Sequence, residues 1–159
     1  PTVDRVKEAM FSSVQFLLPG AKVLDLFGGS GQLGIEAVSR GALSATIVDR
    51  SDAAIRVITA NCRAANLAAQ CDVRRGEADA FLAGCGVQYD LVLMDPPYHY
   101  GTVQRLLPLV DKITAPGGVV ICETEREAVL PEREGELVMK KQHKYGKILV
   151  TKYEKENAQ

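Results

Sequence analysis

Short apolar runs alternate along this chain with stretches whose apolar residues recur every third or fourth position. Residues 22–27 (Lys22-Val23-Leu24-Asp25-Leu26-Phe27) read as a first strand. Further strands are expected at 44–49, ending on Asp49, at Cys71 to Arg75, at 89–94, and at Val119-Val120-Ile121-Cys122. Between them lie helical spacings. Val3, Val6, Met10, Val14 and Leu17 predict an amphipathic helix over 3–18 that Pro19-Gly20 ends. Helices are also expected from Gln32 to Arg40, closed by Gly41, and after Ser51 or Asp52 with Ile55, Ile58, Cys62 and Ala65 on its apolar face. Two more follow, from Ala78 to Ala83 and from Thr102 to Ile113. Residues 136–142 and 147–153, joined across Tyr145-Gly146, read as a terminal β-hairpin. Alternation of this kind predicts an α/β fold, a mostly parallel sheet with helices on both faces.

Length and composition narrow the class. The 159 residues suit one domain, 1–159, with a full core. Apolar residues make up 47% and charged residues 25%, so an ordinary soluble globular protein is expected. No apolar stretch approaches the roughly 18 residues that span a bilayer, and no signal peptide is recognisable; a cytoplasmic protein without membrane contact is expected. The four cysteines (Cys62, Cys71, Cys85, Cys122) form no C-x-x-C pair, so free thiols are expected, with no metal and no disulfide framework.

Net charge is -1, but the charge is unevenly placed. Val138 to Lys152 holds five lysines (Lys140, Lys141, Lys144, Lys147, Lys152) and no acid. Glu123 to Glu136 holds six glutamates against Arg126 and Arg133. The lysine-rich stretch is either a solvated hairpin face or a basic face that meets phosphates, and contact electrostatics of the second kind survive screening at about 8–10 Å.

Gly28-Gly29-Ser30-Gly31 follows the first strand, where open α/β sheets bind ligands and where glycine lets backbone approach them. Gly29-Ser30-Gly31-Gln32-Leu33-Gly34 also fits G-x-G-x-x-G, so a nicotinamide dinucleotide competes as the cofactor. Asp25 favours S-adenosylmethionine instead, because a carboxylate there can hold its amino-acid end directly or through water. N–H groups opening the helix near Gln32 suit that ligand's carboxylate. Asp49, at the end of the second strand, suits the ribose hydroxyls of either cofactor. Phe27 and Arg50, beside the glycine turn and Asp49, and Asp95, after the fourth strand, join the same candidate cofactor-binding set. Glu77-Ala78 suits adenine, through the carboxylate and the Ala78 N–H, unless Glu77 caps the helix it precedes.

Asp95-Pro96-Pro97-Tyr98 ends the apolar run Tyr89-Asp90-Leu91-Val92-Leu93-Met94. The amine of a nucleobase is a poor nucleophile because its lone pair is delocalised into the ring. Two acceptors beside it, the Asp95 carboxylate and the Pro96 carbonyl, can turn that lone pair toward a methyl donor. Pro96 and Pro97 restrain the backbone that carries the carbonyl, and Tyr98 offers a flat face for the base. His99 follows as a candidate substrate contact. His143 reads as a surface residue of the hairpin.

Pro1-Thr2-Val3-Asp4-Arg5-Val6-Lys7-Glu8-Ala9-Met10-Phe11, Asp25-Leu26-Phe27-Gly28-Gly29-Ser30-Gly31, Glu77-Ala78 and Asp95-Pro96-Pro97-Tyr98 together resemble the RsmD family of bacterial methyltransferases. That resemblance runs from Pro1 to about Tyr153. It implies a Rossmann-like class I methyltransferase with a seven-stranded sheet, its last two strands forming the hairpin. It implies methyl transfer from S-adenosylmethionine, leaving S-adenosylhomocysteine, to guanine N2 in small-subunit (16S) ribosomal RNA. The expected substrate is RNA within an assembled or assembling subunit, and the expected enzyme is a monomer. Thr2, Asp4 and Arg5 are placed near the active-site mouth, with Arg5 either meeting RNA phosphate or cofactor carboxylate, or pairing with Glu8. Family members carry a short basic arm before Pro1, so such an arm is expected in the native protein. Glu77 stands where the family more often has Asp or Asn. The competing functions are DNA methylation at adenine N6 or cytosine N4, a non-catalytic cofactor-binding RNA module, and a nicotinamide oxidoreductase.

Overall fold

The computed structural model describes residues 4–97 and 101–156. Its elements follow the predicted order. Helix α1 (Asp4–Ser12) precedes β1 (Lys22–Asp25), α2 (Gln32–Ser39), β2 (Ser44–Asp49), α3 (Asp52–Ala64), β3 (Cys71–Arg75) and α4 (Ala78–Ala83). Then come β4 (Tyr89–Met94), α5 (Thr102–Ile113), β5 (Thr114–Glu125), β6 (Arg133–Glu134), β7 (Leu137–Tyr145) and β8 (Ile148–Lys155).

One sheet runs in the order β3-β2-β1-β4-β5-β8-β7-β6. β1 pairs in parallel with β2 and β4, β2 with β3, and β4 with β5, while β8, β7 and β6 add antiparallel. Period-two alternation divides the core between the faces. Val23, Leu91, Leu93 and Ile121 pack with α1, α2 and α3, whereas Leu24, Val92, Val120 and Cys122 pack with α4 and α5. Strand order reverses at β1 and β4, the topological switch point where such sheets bind ligands. No helix among the described residues is long and apolar enough to cross a membrane. The four cysteines are free thiols, with Cys62 and Cys122 buried.

Several elements differ from expectation: β1 ends at Asp25 rather than Phe27, β5 begins at Thr114 rather than Val119, and β7 runs to Tyr145 rather than residue 142. The sheet has eight strands, not the seven implied by the family resemblance. The additional β6 has two residues, pairing Arg133 with Val138 and Glu134 with Leu137, which is too short to show an alternation. Helix α1 ends at Ser12 rather than near residue 18: the Ser13 hydroxyl donates to the Met10 carbonyl (2.7 Å), and Val14 N–H bonds back only three residues, to Phe11. Val14 and Leu18 stay buried, so the apolar spacing persists through turns. Strand β5 reaches Glu125, three residues past the predicted Cys122, because β8 pairs with it through Glu125↔Ile148.

Candidate active site at the switch point

Asp25 of β1 lies in register with Leu93 of β4, and Leu26 N–H donates to the Leu93 carbonyl (3.1 Å). The glycine turn and the Asp95-Pro96-Pro97 corner therefore leave neighbouring strand ends. They border one crevice of about 680 Å³, within the range of small-molecule sites.

Most of the sequence-predicted residues meet there. Phe27, Gly28, Gly29 and Ser30 form one wall, Asp49 and Arg50 another, Glu77 and Ala78 a third, and Asp95, Pro96 and Pro97 a fourth. Gly31 stands behind the wall as the N-cap of α2, at φ 84°, a left-handed conformation that favours glycine. Asp4 and Arg5, on α1, are not part of the lining. The Arg5 guanidinium lies over the Tyr145 ring, 5.8 Å from its centre, and Glu8 pairs with Arg40 (2.7 Å). Thr2, Tyr98 and His99 lie outside the described residues. Glu77 is the N-cap residue of α4, but its side chain makes no capping hydrogen bond.

Several bonds hold the turn in shape. The two Asp49 carboxylate oxygens accept from Gly29 N–H (2.9 Å) and Ser51 N–H (3.0 Å). Gly28 N–H donates to the Val48 carbonyl (2.8 Å), and the Asn61 amide donates to the Ser30 carbonyl (2.8 Å). Asn61 was not apparent as a site-supporting residue. Its signal was a polar residue on the apolar stripe between Ile58 and Cys62.

Asp25 lies behind the crevice at 1% exposure. Its Oδ2 accepts from Gly34 N–H (3.1 Å), and its Oδ1 has no partner. Burial pushes its pKa up to about 7; the Gly34 bond opposes the shift, and the charges of Asp95 and Asp49 add to it. Gly34 sits so close to Ile47 that a Cβ would lie 2.7 Å from Ile47 Cγ1. Gly34→Ala is therefore expected to destabilise the protein by about 1–3 kcal/mol through overpacking, outweighing the roughly 1 kcal/mol that alanine gains as a helix former. A thermal midpoint equal to that of the parent protein would contradict this.

Sequence reading did not identify Asp79, Arg105 or Glu123 as site residues. Arg105 of α5 pairs with Asp79 of α4 across the crevice, tying the two helices together. Glu123 lines the crevice from β5 at 7% exposure. The lining thus carries five carboxylates (Asp49, Glu77, Asp79, Asp95, Glu123) against Arg50 and Arg105. Such a field suits a cationic ligand bearing N–H donors and opposes a pyrophosphate.

The family model described as "Conserved hypothetical protein 95" matches residues 1–154. YlbH of Bacillus subtilis, whose name marks it as a candidate rRNA methyltransferase, is 36% identical over 160 aligned residues, covering 98% of this chain and 87% of YlbH. Ribosomal RNA small subunit methyltransferase D of Escherichia coli is 30% identical over 158 residues, covering 98% of this chain and 79% of that protein. Among solved structures, an RNA methyltransferase from Salinibacter ruber in complex with S-adenosyl-L-homocysteine shares the fold, with a TM-score of 0.74 at 17% identity, covering 100% of this chain and 95% of that one.

Proposed function

We propose that this chain, which belongs to the family described as conserved hypothetical protein 95, transfers a methyl group from S-adenosylmethionine to the exocyclic N2 amine of a guanine in small-subunit (16S) ribosomal RNA. The observation that carries the reading is the meeting of the glycine turn and the Asp95-Pro96-Pro97 corner around one acidic crevice. The methyltransferase relatives support the reaction class and its RNA substrate.

The residues present fit the cofactor. S-adenosylmethionine carries a sulfonium and an ammonium, and the crevice offers an acidic lining above the unpartnered Asp25 Oδ1. When bound, it supplies an electrophilic methyl group. Asp25 and the glycine turn would hold the amino-acid end, Asp49 the ribose, and Glu77 with Ala78 the adenine. Asp95 and the Pro96 carbonyl would accept the two N–H bonds of the base amine, directing its lone pair toward the methyl. Proximity would then contribute much of the acceleration, and Asp95 or water would receive the proton released as the N–C bond forms and the methyl C–S bond breaks, leaving S-adenosylhomocysteine.

A basic rim beside the crevice supports an RNA substrate. β5 runs parallel to β4, and the tip of the β7–β8 hairpin pairs with the carboxyl end of β5. Exposed Lys144 and Lys147 therefore lie on the same sheet edge as Asp95. Arg5 over Tyr145, and Arg126 donating to the Gly146 carbonyl (3.1 Å), add charge at that tip. Cations so placed suit phosphate contacts. The described lining comes from a single chain, which suits a monomer, and the substrate suits a cytoplasmic enzyme acting on an assembling or assembled subunit.

The test is to offer labelled S-adenosylmethionine with unmethylated small subunits, protein-free ribosomal RNA, transfer RNA and DNA, then to identify the modified nucleoside by mass. The expected product is N2-methylguanosine in small-subunit RNA alone, formed fastest in subunits. N6-methyladenine or N4-methylcytosine in DNA would replace this reading with the DNA one.

A further inference from the structure

Glu123 is a buried acid at the reaction corner for which the mechanism above has no task. It stands one residue beyond Cys122, and Asp95 stands one residue beyond Met94; Met94 and Cys122 are paired across β4 and β5. Paired strands lie about 5 Å apart, so the last pair of this ladder brings Asp95, just past the end of β4, near Glu123 on β5. Both residues line the main crevice, and both line the small recess that continues from it toward Gln104. Two nearby acceptors of this kind, one at 7% exposure, suit a ligand edge that presents adjacent donors.

Guanine is the nucleobase with such an edge: its ring N1–H lies beside its C2 amine. Adenine and cytosine place a lone pair next to their amine. A carboxylate facing that lone pair would be repelled by it. We infer that Glu123 selects guanine by accepting N1–H while Asp95 and the Pro96 carbonyl hold the adjacent amine. The inference rests on the guanine reading above and adds the residue that enforces it. An aspartyl-diproline corner can serve any base amine; the acid on the next strand decides which one.

The test uses small subunits reconstituted with synthetic RNA in which the modified nucleotide, located by mass, is either guanosine or 2-aminopurine riboside. 2-Aminopurine keeps the C2 amine but presents a lone pair at N1. The unaltered protein is expected to methylate it about a hundredfold less efficiently than guanosine, by kcat/KM. Glu123→Gln, whose amide can donate to that lone pair, is expected to narrow the ratio by about tenfold or more while keeping S-adenosylhomocysteine affinity. A purely structural role would slow both substrates alike, and that result overturns the inference. Equal kcat/KM on the two nucleotides by the unaltered protein overturns it as well, whether or not the variant folds. If the unaltered protein leaves guanosine unmodified, the guanine reading fails first and takes the inference with it.

Discussion

Asp95→Ala is expected to lose turnover by about three orders of magnitude while keeping S-adenosylhomocysteine affinity within about tenfold. The large effect follows from the chemistry of the base amine. Its lone pair becomes nucleophilic only when both N–H bonds are drawn out of the ring plane, and positive charge then develops on nitrogen. Removing the carboxylate removes one of the two acceptors and the nearby negative charge together, leaving the Pro96 carbonyl. Loss of one preorganised electrostatic partner typically costs 10²–10³, and loss of the proton acceptor adds to that. The small effect on affinity follows from the architecture. Gly29 is held by Asp49, Ser30 by Asn61, and Glu77 and Ala78 stand on another strand end, so these other walls of the crevice keep their shape without Asp95. Asp95→Asn tests charge against shape, because the amide keeps an acceptor oxygen but sets N–H donors against donors; it should be nearly as slow as Asp95→Ala. Single-turnover rates with calorimetric affinities decide the matter. A variant within tenfold of the parent protein in turnover would remove Asp95 from the chemistry.

The residues that were legible in the sequence are those whose local pattern matches their tertiary role. β2 and β4 each announce themselves as an apolar run closed by an aspartate, while β1 reads as an apolar run with Asp25 inside it and the glycine turn after it. Asp49 and Asp95 could thus be assigned to strand ends and Asp25 to the first strand just before the glycine turn, and the parallel topology brings all three to one edge. β5 obeys the same rule, since Glu123 directly follows Val119-Val120-Ile121-Cys122. It was counted only among the six glutamates up to Glu136, and so was not singled out as a site residue. The information that distinguishes the two is non-local: β8 pairs through Glu125 and carries the strand past its apolar stretch. Asn61 and the Asp79–Arg105 pair were hidden for a similar reason. Each acts across a gap between elements that are far apart in sequence. The short α1 shows the reverse case, in which apolar spacing continued through residues 13–18 although serine hydroxyl bonding had already ended the helix.

Cofactor affinity should rise with pH, by about tenfold per unit below pH 7, and level off above it. Asp25 is the cause. Its ordinary pKa of 3.8 is raised to about 7, chiefly by burial, so at pH 5 to 6 the folded protein holds it protonated. A raised folded-state pKa means that Asp25 adds stability in full below its unfolded value. That contribution falls as pH rises from about 4 to 7 and is absent above 7, a total of about 4 kcal/mol for a fully buried group. An ammonium bound beside the unpartnered Oδ1, as proposed, would reverse the balance, because it would favour the carboxylate and have to displace the proton to bind. Calorimetry with S-adenosylhomocysteine between about pH 5.5 and 7.5 stays below the range in which the ligand's own α-amine, raised by its neighbouring carboxylate, loses its proton. Asp25→Asn copies the protonated shape at every pH. Its affinity should therefore be nearly flat across this range and match the parent protein's low-pH value, and its thermal midpoint should lose the parent's decline with pH. The variant also separates Asp25 from Asp49 and Asp95, which it leaves in place. An equally steep pH dependence in Asp25→Asn would move the proton to another group and leave the buried aspartate a structural partner of Gly34 alone.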